Sequence, residues 1–224
     1  MAFIVAIDGP AGSGKGTVTK LVGEKIGLIN IDTGAMYRCV TLDCLNKNIL
    51  PEELEKIKKV LDDIDIEFKR NNNKELVFLN GIDVTSEIRS TEVNSNVAKF
   101  AAVKIIRDKV TPLQREMGKN ADIIMEGRDI GTVVFPNADV KIFLDCSVEE
   151  RANRRYKQNQ EKGIKCTYEE VFESIKERHR LETEREVAPF VQAEDAIYVD
   201  TTNLTIEEVV NRIVEIVQIK RNKY

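Results

Sequence analysis

The stretch Phe3-Ile-Val-Ala-Ile-Asp-Gly-Pro-Ala-Gly-Ser-Gly-Lys-Gly-Thr17 constrains this chain more than any other. An apolar run enters a glycine-rich turn, and a helix-forming segment over Thr17–Ile26 leaves it. That order surrounds a polyphosphate with backbone amides and sets the positive end of a helix behind it. Gly9, Pro10, Ala11, Gly12, Ser13, Gly14 and Lys15 fit the front of the pattern G-x-x-x-x-G-K-[ST]. The glycines let amides point inward, and Lys15 reaches the β and γ phosphates as a point charge. The pattern breaks at Gly16, where a serine or threonine hydroxyl usually meets magnesium. Thr17 carries the nearest hydroxyl, one place late. Magnesium is therefore expected to be held mainly by nucleotide phosphates and water, and no direct protein ligand to the metal is assigned.

The rest of the chain continues the alternation. Phe3–Ile7, Leu28–Ile31, Ile123–Met125, Val140–Leu144 and Ala196–Val199 are short apolar runs of the kind that form fully buried strands. Amphipathic helices lie between and after them, and three have marked starts. Ser147-Val-Glu-Glu150, Thr167-Tyr-Glu-Glu170 and Thr205-Ile-Glu-Glu208 each place a hydroxyl three residues before a glutamate, the spacing of a reciprocal capping box. Alternating strands and helices need crossovers, which predicts an α/β fold with a parallel sheet of about five strands. The segment Ile64–Thr85 breaks this rhythm. Alternating residues on either side of Asn71-Asn72-Asn73, followed by Asn80-Gly81, predict a small insert of three antiparallel strands. Helical segments are expected from Ser90 to Lys119.

Composition excludes several classes of function. A net charge of −4 over 224 residues gives no reason to expect nucleic acid or a membrane surface as partner. Cys39, Cys44, Cys146 and Cys166 show no paired spacing, and His179 is the single histidine, so a zinc site has no ligand set. The thiols read as buried small hydrophobes in a reducing compartment. The N-terminal apolar run ends at Asp8, too soon for a secretory signal, and no run nears the ~18 apolar residues of a membrane span. A soluble cytoplasmic protein is expected.

A phosphate loop serves switch GTPases, ATPases and kinases alike. The guanine-reading Asn-Lys-x-Asp is absent; Asn46-Lys47-Asn48-Ile49 is the nearest stretch. Arginines stand instead where strands end. Arg128-Asp129 follows Ile123-Ile-Met-Glu-Gly127 directly, at the carboxyl edge where open α/β sheets bind ligands. Arg128 and Asp129 are also a candidate structural ion pair. Arg178, Glu182 and Arg185 fall at i, i+4 and i+7, one face of one helix.

The ordered set of motifs carries a resemblance. Gly9-Pro-Ala-Gly-Ser-Gly-Lys-Gly-Thr17, Asp32-Thr-Gly-Ala-Met-Tyr-Arg38, Glu126-Gly-Arg-Asp-Ile-Gly-Thr-Val-Val-Phe-Pro136, Lys141-Ile-Phe-Leu-Asp145, Glu150-Arg-Ala-Asn-Arg-Arg155 and Arg185-Glu-Val-Ala-Pro189 together resemble the bacterial cytidylate kinases, within the nucleoside monophosphate kinases of the phosphate-loop class. The likeness runs nearly the full length. It implies a three-layer kinase core over residues 1–36, 120–150 and 164–224. It further implies a monophosphate-binding region over 37–119, with the antiparallel insert at 64–85, and a helical lid over 151–163 with a break near Gly163. The implied activity is transfer of the γ-phosphoryl group of ATP to CMP or dCMP by a monomer.

The resemblance also assigns residues. Gly9 through Thr17 wrap the ATP phosphates. Thr33, Arg38, Arg107 and Asp129 belong with the acceptor nucleotide, Arg107 and Asp129 reading cytosine. Arg128, Arg178 and Arg185 grip the acceptor phosphate. Arg151, Arg154 and Arg155 cover ATP from the lid. Two positions depart from the family pattern: Glu182 replaces an aspartate that meets the sugar hydroxyls, and Ala98 replaces a serine near the base.

The acceptor is itself a phosphate anion, so transfer needs positioning and charge neutralisation more than a general base. His179 is accordingly read as a bystander. Two rivals remain open at this point: a small kinase with another acceptor (UMP, AMP or shikimate), and a regulator that only senses ATP.

Overall fold

Four of the five apolar runs end as strands one residue later than the sequence suggests, and the fifth, Ile123–Met125, runs two residues further; together they form one parallel sheet. The computed structural model describes residues 2–71 and 74–222. The chain divides into two compact units, Met1–Asp32 with Arg115–Tyr224, and Thr33–Gln114.

In the first unit the strands are β1 (Ile4–Asp8), β2 (Ile29–Asp32), β6 (Ile123–Gly127), β7 (Val140–Asp145) and β8 (Ile197–Asp200). Their order is β2-β6-β1-β7-β8, every pair parallel. Successive side chains of a strand point to opposite faces, so the sheet sorts its own residues. Val5, Ile7, Ile124, Ile142, Leu144 and Val199 meet two helices, α1 (Lys15–Ile26) and α8 (Ile206–Arg221), through Val18, Val22, Val209, Ile213 and Val217. Ala6, Ile123 and Met125 face the other way, onto Ile130 and Val134 of a π-helical turn over Ile130–Val134. Burying each large side chain of these layers is worth roughly 1.5–3 kcal/mol. α6 (Val148–Glu161) and α7 (Tyr168–Glu184) pack on each other through Ala152, Val171 and Ile175.

The three expected capping boxes meet different fates. Thr167 with Glu170 and Thr205 with Glu208 close reciprocally. Ser147 accepts from the Glu150 amide, but the return bond is missing. The Ser147 amide donates instead to Thr202 Oγ1, and the Glu150 carboxylate is taken by Arg154. A long-range partner has outbid a local one.

The second unit holds α2 (Thr33–Asn46), α3 (Leu54–Asp63), α4 (Thr91–Ala101) and most of α5 (Lys104–Met117). Its antiparallel sheet is β3 (Ile66–Asn71), β4 (Lys74–Leu79) and β5 (Ile82–Asp83). Asn80 and Gly81 take φ of 51° and 79°, the left-handed pair that a two-residue hairpin turn requires. Asn72 and Asn73 of the first expected turn lie outside the described residues. Val77, Leu79 and Ile88 of this unit bury against Ala35 and Cys39 of α2.

Candidate phosphate-transfer site

β1 stops at Asp8, and after six intervening residues α1 begins with Lys15, two residues earlier than the sequence suggests. The intervening turn uses left-handed backbone at Gly12 (φ 83°) and Gly14 (φ 88°), where a side chain would be strained. Gly14 caps α1 with no side-chain bond, and no acidic residue sits in the helix's first turn. The helix's positive end is therefore left for an external anion. Lys15 is buried, and its ammonium donates to the Pro10 carbonyl at 2.7 Å and to Ser13 Oγ at 3.3 Å. Burial chiefly, then the nearby Arg128, lowers the Lys15 pKa to about 7, with Glu126 and Glu182 pulling the other way.

Gly16 has a local reason. A Cβ there would lie 3.1 Å from Glu126 Oε1, so the absent side chain makes room for a carboxylate from the end of β6. Thr17 is exposed beside it. Among the described residues no group of three or more His, Cys, Asp or Glu gathers as a metal site. One carboxylate and one hydroxyl at the helix start suit a cation that arrives already coordinated by phosphate and water.

The cationic half of the site is built on Glu182. Its carboxylate accepts from Arg128 Nε at 2.7 Å and from Arg178 Nε at 2.9 Å. The carboxylate is only 5% exposed. Burial is the largest single influence on Glu182 and acts upward, but Arg128 and Arg178 together outweigh it and hold the carboxyl well below the usual range. Glu182 thus does not stand open toward a sugar; it ties two guanidinium groups together. Arg128, considered from sequence as a partner of Asp129, pairs with Glu182, and Asp129 faces Arg185 at 3.7 Å.

Arg185 corrects a second expectation. α7 ends at Glu184 and Arg185 is already extended (φ −62°, ψ 138°), so it does not share a helix face with Arg178 and Glu182. Its Nε donates to the Ala188 carbonyl at 2.6 Å across a tight turn in which Ala188 has φ 51°.

The first turns of α6 rest on the glycine loop. A Cβ at Gly12 would stand 3.1 Å from that of Arg151. Arg151 is buried, and its Nε and Nη1 have no hydrogen-bond partner among the described residues. Arg154 donates to the Ser13 carbonyl (3.3 Å), the Thr201 carbonyl (2.8 Å) and Glu150 (2.7 Å). Arg155 donates to Gln158 (2.8 Å) and has its pKa lowered by burial and by Arg178. α6 runs without interruption to Glu161, and Gly163 follows at φ 68°. His179 stacks edge-on against Phe190 at 5.8 Å; burial, then Arg151, lowers its pKa, so it is neutral near pH 7.

Thr33, Arg38 and Arg107 belong to the second unit. Thr33 begins α2, and Arg38 Nε lies 3.5 Å from Asn94 Oδ1. Arg107 is buried, donates to the Ala101 carbonyl (3.2 Å) and lies over the Tyr37 ring at 5.4 Å. Ala98 is buried in α4.

Sequence reading missed two acidic residues, Asp8 and Glu126, each the acidic residue at or next to the end of a core strand. Their position at the carboxyl edge of the sheet was the available signal.

A glycine loop between a central parallel strand and a helix, facing a cluster of arginines at the same edge, defines a phosphate-loop protein that handles more than one phosphate group. Comparison narrows the class. Residues 5–219 match the family described as cytidylate kinase. A cytidylate kinase of Fusobacterium nucleatum is 49% identical over 211 residues, 94% of this chain and 95% of that protein. One from Bacillus subtilis is 47% identical over 216 residues, 96% of each. Among solved structures, TT1252 from Thermus thermophilus overlays with a TM-score of 0.51 at 17% identity, covering 98% of this chain and 97% of that one. An uncharacterised protein from Eubacterium ventriosum gives 0.53 at 11% identity, covering 97% and 99%; both bear on fold alone. The chain belongs to the cytidylate kinase family.

Proposed function

We propose that the protein transfers the γ-phosphoryl group of ATP to CMP or dCMP, giving ADP and the nucleoside diphosphate. The observation that carries this reading is the pairing of two anion sites in one field. Lys15, at the mouth of the amide-lined loop, is close enough to Arg128 and Arg178 for each to push its pKa down. A protein that only senses ATP has no use for the second cluster.

In this reading Gly9 to Thr17 hold the donor phosphates, and Arg154 steadies the loop through Ser13. Arg128, Arg178 and Arg185 orient the acceptor phosphate, whose oxygen attacks in line, and no proton need be removed by the protein. The guanidinium pairs supply direction as well as charge. Before the acceptor arrives, Glu182 holds Arg128 and Arg178 in place; its proposed later partner is the sugar hydroxyl. Thr33, Arg38, Arg107 and Asp129 are proposed to select the base and sugar. Magnesium, carried in by the nucleotide, would neutralise the β and γ oxygens, with Glu126 and Thr17 as neighbours of its water shell. Residues 151–163 are proposed to close over ATP, excluding water as a competing acceptor. The chain is proposed to work as a monomer in the cytoplasm; no described helix is long and apolar enough to cross a membrane.

The test is ADP formation with ATP, magnesium and a panel of acceptors: CMP, dCMP, UMP, AMP and shikimate. CMP and dCMP should lead, Arg128→Ala should lose activity by orders of magnitude while staying folded, and Ala98→Ser should widen the margin of CMP over UMP. A faster rate with any other acceptor overturns the assignment.

A further inference from the structure

Asp8 is the last residue of β1, buried, and its two carboxylate oxygens do separate work. Oδ1 accepts the Ile130 amide at 2.8 Å, and Oδ2 accepts the Gly131 amide at 2.7 Å. These amides are the first two after Arg128-Asp129. The same turn is closed from its far side, where the Asp129 carbonyl accepts from the Val133 and Val134 amides at 2.9 and 3.1 Å. Space is tight as well. A Cβ at Gly131 would sit 3.2 Å from Lys141 Cδ and 3.4 Å from Asp8 Oδ2. The Lys141 ammonium itself is committed to Asp195 at 2.8 Å.

We propose that Asp8 is a positioning residue for the acceptor side: its carboxylate fixes the backbone that presents Arg128 and Asp129. The inference rests on the reading that those two residues serve the acceptor nucleotide. Two facts favour it over simple structural duty. The carboxylate is poorly placed for stability, since burial pushes its pKa up to about 6 despite both amide bonds, and Asp129 adds to the rise. A charge retained against that cost is doing something a neutral side chain would not. The Asp8 bonds also reach over 122 residues of sequence to one short turn. Both bonds run to the turn that directly follows Arg128-Asp129, so the contact acts on the backbone of the acceptor side.

Asp8→Asn keeps one accepting oxygen and sets an amide nitrogen against the other N–H. Steady-state kinetics of the full chain should show the CMP KM raised roughly ten- to hundredfold, the yield of one charge-assisted bond, with the ATP KM nearly unchanged. Gly131→Ala presses a methyl on the Lys141 stem and into contact with Asp8 Oδ2, disturbing the same turn without removing the carboxylate, and should shift the same constant in the same direction. It decides the matter if Asp8→Asn does not fold. Equal rises in both KM values overturn the proposal, as does failure of both variants to fold, because either outcome makes the contact general scaffolding. Arg128→Ala, run alongside, separates the two layers. If it raises the CMP KM while folded Asp8→Asn and Gly131→Ala leave it alone, only Asp8 is wrong. If it leaves the CMP KM unchanged, the acceptor reading falls and the inference with it.

Discussion

Glu182 holds two half-buried cations together, and removing its charge should expose how much the site leans on it. In Glu182→Gln the side chain keeps its size, but Arg128 and Arg178, 18% and 17% exposed, face each other without a counterion. Breaking one side of a buried pair typically costs about 3–5 kcal/mol, and with both guanidiniums only half-buried the lower part of that range, about 3–4 kcal/mol, applies. Against a typical total stability of about 5–15 kcal/mol this is a large fraction. With a urea slope of ~3 kcal/mol/M, the midpoint should fall by roughly 1–1.3 M. The pH dependence follows from the depressed Glu182 pKa. The stabilisation is complete above the unfolded carboxyl value and disappears as pH falls through the folded one, so the gap between wild type and variant should be full at neutral pH, begin to narrow below about pH 4 and go on narrowing as the acid strengthens. Inorganic phosphate should recover more stability in the variant than in wild type, because it replaces a missing anion. Equal urea midpoints at neutral pH, or a gap that does not narrow in acid, would refute the reasoning.

Three further outcomes are expected. Lys15, with a pKa of about 7, is largely neutral near pH 8, so ATP should drive proton uptake there; calorimetry in buffers of different ionisation enthalpy should count fewer protons for Lys15→Met, and equal counts contradict the assignment. Gly16→Ala sets a methyl 3.1 Å from Glu126 Oε1, and should raise the KM for magnesium-ATP several-fold while sparing that for CMP. Arg154→Ala loses the bonds to Ser13 and Thr201 and should raise the ATP KM about fivefold, an effect visible in initial rates and absent if the loop is rigid without it.

What could be read from residues alone divides along physical lines. The strands, the glycine turn and the Asn80-Gly81 hairpin were legible because each depends on neighbours in sequence: burial of a short run, left-handed backbone, a two-residue turn. Arg128, Arg178 and Glu182 were legible as a group, but their mutual bonding was not, since helical spacing places Arg178 near Glu182 and says nothing of a strand end 54 residues away. The same spacing misplaced Arg185, because nothing between Glu182 and Pro189 marks where the helix stops. Ser147-x-x-Glu150 has the spacing of a closed box yet lost half of it to Arg154 and Thr202. Asp8 was hidden by its setting, inside the best-known part of the motif.

The order of strands also bears on how the chain is made. Ile4 and Ile29 both take Ile123 as register partner, and Val5 takes Val140. β1 and β2 therefore wait for a partner made more than ninety residues after them, an interval on the order of 10 seconds at ordinary synthesis rates. Residues 33–114, a continuous unit, can collapse meanwhile. Until β6 is made, β1 has neither of its sheet neighbours, and the glycine turn that follows it has no sheet edge to sit on.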